Sequence, residues 1–178
     1  MDLYDDPNKG NTEACARLYD ENATALFRLA GAIVWNRQEA EEIVQEAFLR
    51  LHETVREGHI RSVEGYLRST VKNLAIDCLR RRKTRFGFVR ENQRISKTSS
   101  ETPFEWSEKQ EIEKRFLAML GELPDLQRAA LVLRVLEEES YEGISRALGV
   151  SIENVKTHLS RARAKLKPLL ELEEYTRR

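Results

Sequence analysis

The spacing of apolar residues in the N-terminal half of the chain predicts helices. Leucine, alanine, isoleucine and valine recur three or four positions apart through about 12–35, 38–51 and 63–83, which is the period of an amphipathic α-helix. Gly58 stands where the second helix would end. The third helix carries the apolar stripe Val63, Leu67, Val71, Leu74 and Cys78. No stretch alternates convincingly between apolar and polar residues, so we expect a helical lobe without strands.

The pattern is interrupted between the two halves of the chain. Residues 84–108 are polar, contain Pro103 and lack a sustained apolar stripe, which is typical of a linker. Such a segment reaches about 80 Å when it is fully extended. We therefore predict an all-α protein of two small helical domains, 1–83 and 111–178, joined by a flexible linker over 84–110.

The C-terminal half ends in a helix-turn-helix pattern. Helical periodicity resumes near 112 and continues, after a turn at Gly121 and Pro124, through 126–136. A short amphipathic helix is then predicted over 141–148. It is followed by a tight turn in which Gly149 can adopt a positive φ and Ser151 can cap the next helix. The buried stripe of that last helix is predicted to be Val155, Leu159, Ala162 and Leu166.

The outer face of the last helix is polar and basic. In a helix-turn-helix protein the second helix enters the major groove of DNA with its N-terminal half on the base edges. Lys156, Thr157 and Arg161 are therefore candidates for base or phosphate contacts, and His158 is either a groove contact or simply exposed. Contacts to phosphates alone are expected of Arg163, Lys165 and Lys167. The alternative is an ordinary helical hairpin with a basic solvent-facing side.

Charge is strongly segregated although the formal net charge of the 178 residues is zero. Residues 61–97 carry a net charge of +8 and residues 156–167 of +5, whereas 36–57 carry −3 and 101–125 carry −4. Two basic blocks between acidic ones predict two contacts with a polyanion and separate surfaces for protein partners.

Composition excludes several other classes of protein. There is no run of 18 apolar residues to span a membrane, and the acidic N-terminus lacks the apolar core of a signal peptide, so a cytoplasmic location is expected. With two cysteines, three histidines and no CxxC, a zinc site or a disulfide scaffold is not expected. No nucleophile or metal constellation stands out, so we expect neither an enzyme nor a cofactor.

The third helix also carries a second polar face. Tyr66, Thr70, Asn73, Asp77 and Arg80 share one side of it, next to Arg81, Arg82 and Lys83. An aromatic ring and an amide beside dense positive charge suit unstacked bases as well as duplex phosphates. The equally weighted alternative is that Tyr66 packs against its own lobe and that Asp77 pairs with Arg80 or Arg81.

The second helix has an acidic outer face. Glu39, Glu42 and Glu46 are expected to point outward, with Glu41 and Gln45 beside them. Such a face repels DNA, so a functional role would be to bind a basic protein surface. On composition alone, a solvated acidic helix is the default interpretation.

These segments together resemble one family. EAEEIVQEAFLR at 39–50, YLRSTVKNLAIDCLRRR at 66–82 and the helix-turn-helix at 123–166 are similar, in order and spacing, to segments of extracytoplasmic-function (ECF, group IV) sigma factors of the bacterial sigma-70 family. The match covers most of 12–167. The resemblance implies a two-domain protein that binds core RNA polymerase and directs transcription initiation.

The resemblance also implies roles for individual residues. Glu39, Glu41, Glu42, Gln45 and Glu46 match the segment that docks on the clamp coiled coil of the largest polymerase subunit. The −10 element would be opened and read by Tyr66, Asn73, Asp77, Arg80 and Arg81, with the loop 58–63 capturing an extruded base. The −35 element would be read by Lys156, Thr157, His158 and Arg161. An anti-sigma factor is the typical further partner.

The sequence departs from the family pattern in ways that bear on which promoter is read. Tyr66 replaces the usual tryptophan, His158 a frequent arginine, and Glu153 a common glycine. Two other functions were weighed. One is a free-standing dimeric helix-turn-helix regulator, which would not need the acidic helix to touch polymerase. The other is a sigma-like decoy, which would be expected to lose its basic DNA-contact residues, yet Arg80–Arg82 and Arg161 remain.

Overall fold

The computed structural model describes the backbone of residues 10–56, 60, 62–85 and 119–176, and the side chains of 17–54, 60, 62–82 and 119–167. Within these ranges the chain is helical and contains no strand, which confirms the predicted all-α class. The predicted linker lies outside the described residues except for its first two positions, which complete a helix. Residues 58, 59 and 61 of the loop 58–63 also lie outside them. No helix in the described ranges is long and apolar enough to cross a membrane.

Three helices form the N-terminal lobe: α1 (Gly10–Val34), α2 (Arg37–Arg56) and α3 (Val63–Arg85). Each packs against the other two. The start of α2 is capped by Asn36, whose side-chain oxygen accepts a hydrogen bond from the Glu39 amide at 3.0 Å. The start of α3 is capped by Ser62, whose hydroxyl accepts from the Gly65 amide at 3.2 Å. These caps satisfy amide groups that have no partner within the helix.

The buried side of α3 is wider than its sequence pattern predicts. Leu67 and Val71 are fully buried as expected, whereas the predicted Val63, Leu74 and Cys78 are only partly buried. Further buried residues of α3 are Ala75, Ile76 and Leu79. The additional burial has a structural reason, because α3 contacts the C-terminal lobe as well as its own.

The C-terminal lobe contains α4 (Asp125–Val135), α5 (Tyr141–Leu148) and α6 (Ile152–Thr176). The predicted turn chemistry is confirmed. Gly149 ends α5 in the left-handed region with φ 64°, and the Ser151 hydroxyl accepts from the Asn154 amide at 3.2 Å. The predicted stripe of α6 is buried along its whole length: Val155, Leu159, Ala162 and Leu166. The tail, whose conformation the sequence left open, continues α6 as helix up to Thr176.

The two lobes pack against each other, with α1 on α4 and α3 on α5. Trp35, the residue that follows α1, takes part in this contact and has a positive φ of 52°. Gly121 sits so close to the Trp35 indole that a Cβ there would be 2.3 Å from its Cζ2 atom. Asn73 and Thr157, one on each lobe, remain exposed in this closed arrangement.

Candidate nucleic-acid and protein interfaces

The outer face of α6 is open to solvent along the half that the sequence assigns to base edges. Arg161 is exposed, and Thr157 is exposed with its hydroxyl donating to the Glu153 carbonyl at 2.9 Å. Lys156 forms an ion pair with Glu153 at 2.9 Å. That hydrogen bond raises the pKa of Lys156 above its ordinary value. His158 is only half-exposed. The face can therefore offer a groove the Thr157 hydroxyl oxygen as an acceptor and ammonium and guanidinium groups as donors.

The polar face of α3 is partly used by its own lobe. The Tyr66 ring is half-buried against the core, and its hydroxyl lies 2.9 Å from the Thr54 hydroxyl of α2. Asp77 pairs with Arg80 at 3.5 Å. Both local contacts that the sequence left open as alternatives are thus present. Asn73 and Arg81 remain exposed and are the members of the face best placed to meet a ligand.

Arg80 makes an additional contact across the lobes. Its Nη2 atom donates to the backbone carbonyls of Arg146 and Ala147, at 3.1 and 2.5 Å. These carbonyls belong to the last turn of α5, where helical carbonyls lack partners and a positive charge is favoured. In the closed chain, Arg80 therefore caps the first helix of the helix-turn-helix.

The acidic helix α2 presents a mixed surface. Glu42, Gln45 and Leu49 are exposed and fall three or four residues apart, so they share a face. Leu49 is 63% exposed, which is high for a large apolar side chain. Glu41 and Glu46 lie beside them, and each pairs with an arginine of the same helix, at 2.9 and 2.8 Å. An exposed apolar residue amid carboxylates suits a protein partner that has basic and apolar groups.

Glu39 does not point outward with the other glutamates, so its predicted orientation is wrong. Its carboxylate forms an ion pair with Arg82 of α3, and Arg82 also reaches Asp125 of α4 at 3.4 Å. Glu39 sits in the first turn of α2, where the lobes meet, and an arginine on the neighbouring helix is close enough to hold it. The acidic residue is therefore engaged within the protein.

Arg128 of α4 lies buried in the contact between the lobes and has four groups around its guanidinium. It donates to the Ile33 carbonyl at 3.3 Å, the Leu123 carbonyl at 2.8 Å and the Asp125 carboxylate at 2.5 Å. The guanidinium also lies over the Trp35 ring. Burial lowers the pKa of Arg128, and Asp125 opposes that effect.

Two family models match the chain along both lobes. Sigma-70 region 2 matches residues 18–85, and Sigma-70, region 4, matches residues 113–166. The RNA polymerase sigma-E factor of Streptomyces coelicolor is 30% identical over 147 residues, which are 80% of this chain and 78% of that protein. The chain belongs to the sigma-70 family.

Other relatives place this sigma factor among those of the ECF type. The ECF RNA polymerase sigma factor SigW of Bacillus subtilis is 27% identical over 91% of each chain. The ECF RNA polymerase sigma factor SigE of Mycolicibacterium smegmatis is 30% identical over 86% of this chain, which spans 60% of that relative's length. The sigma factor RpoE of Bartonella quintana, solved with the anti-sigma factor NepR, has a similar fold. Its TM-score is 0.52 and its identity 20%, over 88% of this chain and 96% of that one.

Three residues of this sigma factor that matter to its surfaces were missed from the sequence. Leu49 could have been noticed, because it lies off the apolar stripe of its helix and on the same face as Gln45. Arg128 and Trp35 give no such signal, because their contact depends on how the lobes meet. Among the described residues, no group of three or more histidine, cysteine, aspartate or glutamate side chains could hold a metal ion.

Proposed function

We propose that this ECF sigma factor binds core RNA polymerase through α2 and recognises promoter DNA through α6 and α3. The observation that carries the proposal is the exposed outer face of α6 in a capped helix-turn-helix, in the same chain as a three-helix region 2 lobe. The N-terminal lobe, 1–83, would hold the −10 element and the C-terminal lobe, 111–178, the −35 element, with 84–110 as the tether.

At the −35 element, α6 would enter the major groove. Thr157 and Arg161 project from its exposed face and are proposed to reach base edges, with Lys156 and His158 beside them. Arg163, Lys165 and Lys167 lie further along the helix, where positive charge favours phosphates without reading sequence.

At the −10 element, α3 would hold separated strands. Asn73 offers an amide to a base edge, and Arg80 and Arg81 offer charge to the backbone, with Asp77 holding Arg80 in place. The edge of the half-buried Tyr66 ring is proposed to support a base rather than to stack freely. Trapping unpaired bases offsets an unstacking cost of a few kcal/mol per base.

The polymerase is proposed to dock on the face of α2 formed by Glu42, Gln45 and Leu49, with Glu41 and Glu46 at its edges. Glu39 would join this surface only when Arg82 releases it. A central apolar anchor within a polar rim is the usual arrangement of a protein interface.

The sigma factor would act as a detachable specificity subunit in the cytoplasm and would catalyse no reaction itself. Attachment to core polymerase brings both lobes onto one DNA at high effective concentration. Binding of a promoter by the free protein is therefore expected to be weak, and binding by the holoenzyme tight and dependent on salt. An anti-sigma factor is proposed as a further partner, since the similar RpoE was solved with one.

Transcription with purified core polymerase on a promoter library, with and without this protein, tests the proposal. We expect transcripts that depend on the protein, and their absence would refute it. Arg161→Ala should weaken binding to the preferred promoter by about 1–3 kcal/mol. It should also relax the base preference at one position of the −35 element. Arg163→Ala, the matched control, should weaken all sequences alike.

The polymerase surface is tested separately by binding core enzyme to two truncation variants. Leu49→Ala should weaken the complex, because it removes an exposed apolar anchor. Val135→Ala removes a similarly exposed apolar side chain from the other lobe and should leave the complex unchanged. Equal effects of the two variants would exclude the proposed surface.

A further inference from the structure

The C-terminal lobe covers one flank of α3 with a short acidic segment, 136–139. Arg68 donates to the Glu137 carboxylate through Nη2 at 2.8 Å and through Nε at 3.1 Å, and to the Leu136 carbonyl at 3.3 Å. One turn further along α3, Lys72 donates to Glu139 at 2.5 Å. Two cations of the basic block are thus occupied by two carboxylates of the other lobe.

These pairs are well-formed contacts. The Glu137 side chain is only 6% exposed, although glutamate is seldom buried. Arg68 donates to it through Nε and Nη2 together, which is the two-donor geometry by which arginine binds carboxylate or phosphate. The hydrogen bond that Arg68 donates to Glu137 raises the pKa of Arg68.

The backbone between the two carboxylates is strained. Glu138 has a φ of 53°, a left-handed conformation in which the Cβ atom of a residue with a side chain crowds the following carbonyl oxygen. Glu138 itself forms no ion pair within the described part of the chain. Glu138 lies between two glutamates that each pair with a cation on α3. These two ion pairs compensate for the backbone strain at Glu138.

The covered flank adjoins the face proposed to hold DNA. Lys72 is the neighbour of the exposed Asn73, about 100° around the helix. Arg80 lies two turns beyond Lys72 and is occupied as well, by the carbonyls at the end of α5. Ile76 lies between Lys72 and Arg80 on this flank of α3 and is buried. Its burial is consistent with a flank that the C-terminal lobe covers.

We propose that the 136–139 segment autoinhibits the free sigma factor by occupying Arg68 and Lys72, which hold promoter phosphates once the lobes separate. The inference rests on the proposed function of α3 in DNA binding. The carboxylates of Glu137 and Glu139 take the place of two phosphates, and Arg80 is held away from DNA by α5. Attachment to polymerase, which spreads the lobes along a promoter, releases all three cations.

The double variant E137Q/E139Q tests the proposal in the full-length free protein. The probe is a fluorescent single-stranded 12-mer DNA of mixed sequence, because phosphate contacts do not depend on sequence. We expect the double variant to bind the 12-mer about tenfold more tightly than the wild-type protein. This factor corresponds to a wild-type chain in which Arg68 and Lys72 are accessible about one-tenth of the time. The slope of log K against log salt should steepen by about 1.4, since each added phosphate contact on a single strand contributes about 0.7.

E138Q is the control, because it removes one negative charge from the same segment, half of what the double variant removes, but releases no cation. It should change neither the affinity nor the slope by more than a small amount. Adding R68Q and K72Q to the double variant should abolish its gain. If E138Q matches the double variant, or if the slope stays constant, the proposal is refuted.

A second variant separates the lobes without altering charge. In G121V the new side chain meets the Trp35 ring, so small-angle X-ray scattering should show a larger radius of gyration and the 12-mer should bind more tightly. A compact G121V, or an expanded one with unchanged DNA affinity, counts against autoinhibition.

Transcription by the wild-type protein with core polymerase distinguishes the two proposals. If the protein supports transcription but E137Q/E139Q does not bind the 12-mer more tightly, only the autoinhibition proposal is refuted. If E137Q/E139Q binds the 12-mer more tightly but no protein-dependent transcript is made, the internal contact is supported and the sigma function is refuted.

Discussion

The guanidinium carbon of Arg128 lies 5.6 Å from the centre of the Trp35 ring, and this pair joins the two lobes of the protein. Trp35 ends the first helix in a conformation that tryptophan rarely adopts. Its ring contacts both the arginine and the close backbone of Gly121. A strained residue on one lobe is thus stabilised by contacts that the other lobe supplies.

Replacement of Arg128 by methionine should destabilise the fold. The change leaves the Ile33 and Leu123 carbonyls without their donor and removes a partner of Asp125, so we expect a loss of about 3 kcal/mol in the free energy of unfolding. Urea denaturation followed by circular dichroism measures it. Arg163→Met, at an exposed position, should change stability by less than about 0.5 kcal/mol. Equal stabilities of the two variants would contradict the structural role of Arg128.

Gly149→Ala should weaken the helix-turn-helix because of its backbone alone. Gly149 has a φ of 64°, and the nearest atom to an added Cβ, an Arg80 nitrogen, is at an ordinary 3.6 Å. The expected cost is about 1 kcal/mol. Gly149→Asn is the control, since asparagine tolerates the left-handed region, and it should cost less than alanine. Thermal unfolding measures both, and the reverse order would show that side-chain crowding dominates.

The sequence was sufficient for those parts of the fold that depend on local periodicity. The stripe from Val155 to Leu166 and the turn at Gly149 were predicted correctly, because helix period and positive φ are properties of neighbouring residues. That period gives no sign that Arg128 is buried, because one of its partners, the Ile33 carbonyl, belongs to a helix distant in sequence.

The candidate surfaces show the same limit. The exposure of Thr157 and Asn73 follows from their position opposite a buried stripe. Glu39 shares its helix with other acids, but an arginine of α3 determines its orientation. Ile76 falls outside the predicted stripe and is nevertheless buried. Contacts between lobes leave no periodic signature, so the closed arrangement could not be predicted from the sequence.

Cys78 should react slowly with alkylating reagents at neutral pH. Burial raises the pKa of its thiol, Arg81 opposes this, and Asp125 of the other lobe adds to the rise. A raised pKa leaves less thiolate at a given pH, so the midpoint of the rate profile should lie above the value of about 8.5 for a free thiol. Iodoacetamide labelling between pH 7 and 10, with peptide mapping of Cys78, measures it.

The same labelling reports on separation of the lobes. In G121V, the Asp125 carboxylate should move away from Cys78, and the midpoint should shift toward lower pH. Labelling in urea gives the profile of the unfolded chain and serves as the control. A native profile that coincides with the urea profile would show that the thiol is not shielded.

Tyr66→Phe separates packing from DNA contact at the proposed −10 surface. The variant loses the hydrogen bond to Thr54 but keeps the ring, so we expect a loss of about 1 kcal/mol in stability. Thr54→Val removes the same bond from α2, together with the bond that the Thr54 hydroxyl donates to the Arg50 carbonyl at 2.9 Å, and should cost at least as much. Because the bond to Tyr66 is shared, the double variant should lose little more than Thr54→Val alone. Open-complex formation with core polymerase, measured by permanganate footprinting, should be equal in the two single variants. If Tyr66→Phe opens promoters less well than Thr54→Val at the same stability, the phenol oxygen of Tyr66 itself contacts DNA. The ring would then not be the only part of Tyr66 that contributes to the −10 surface.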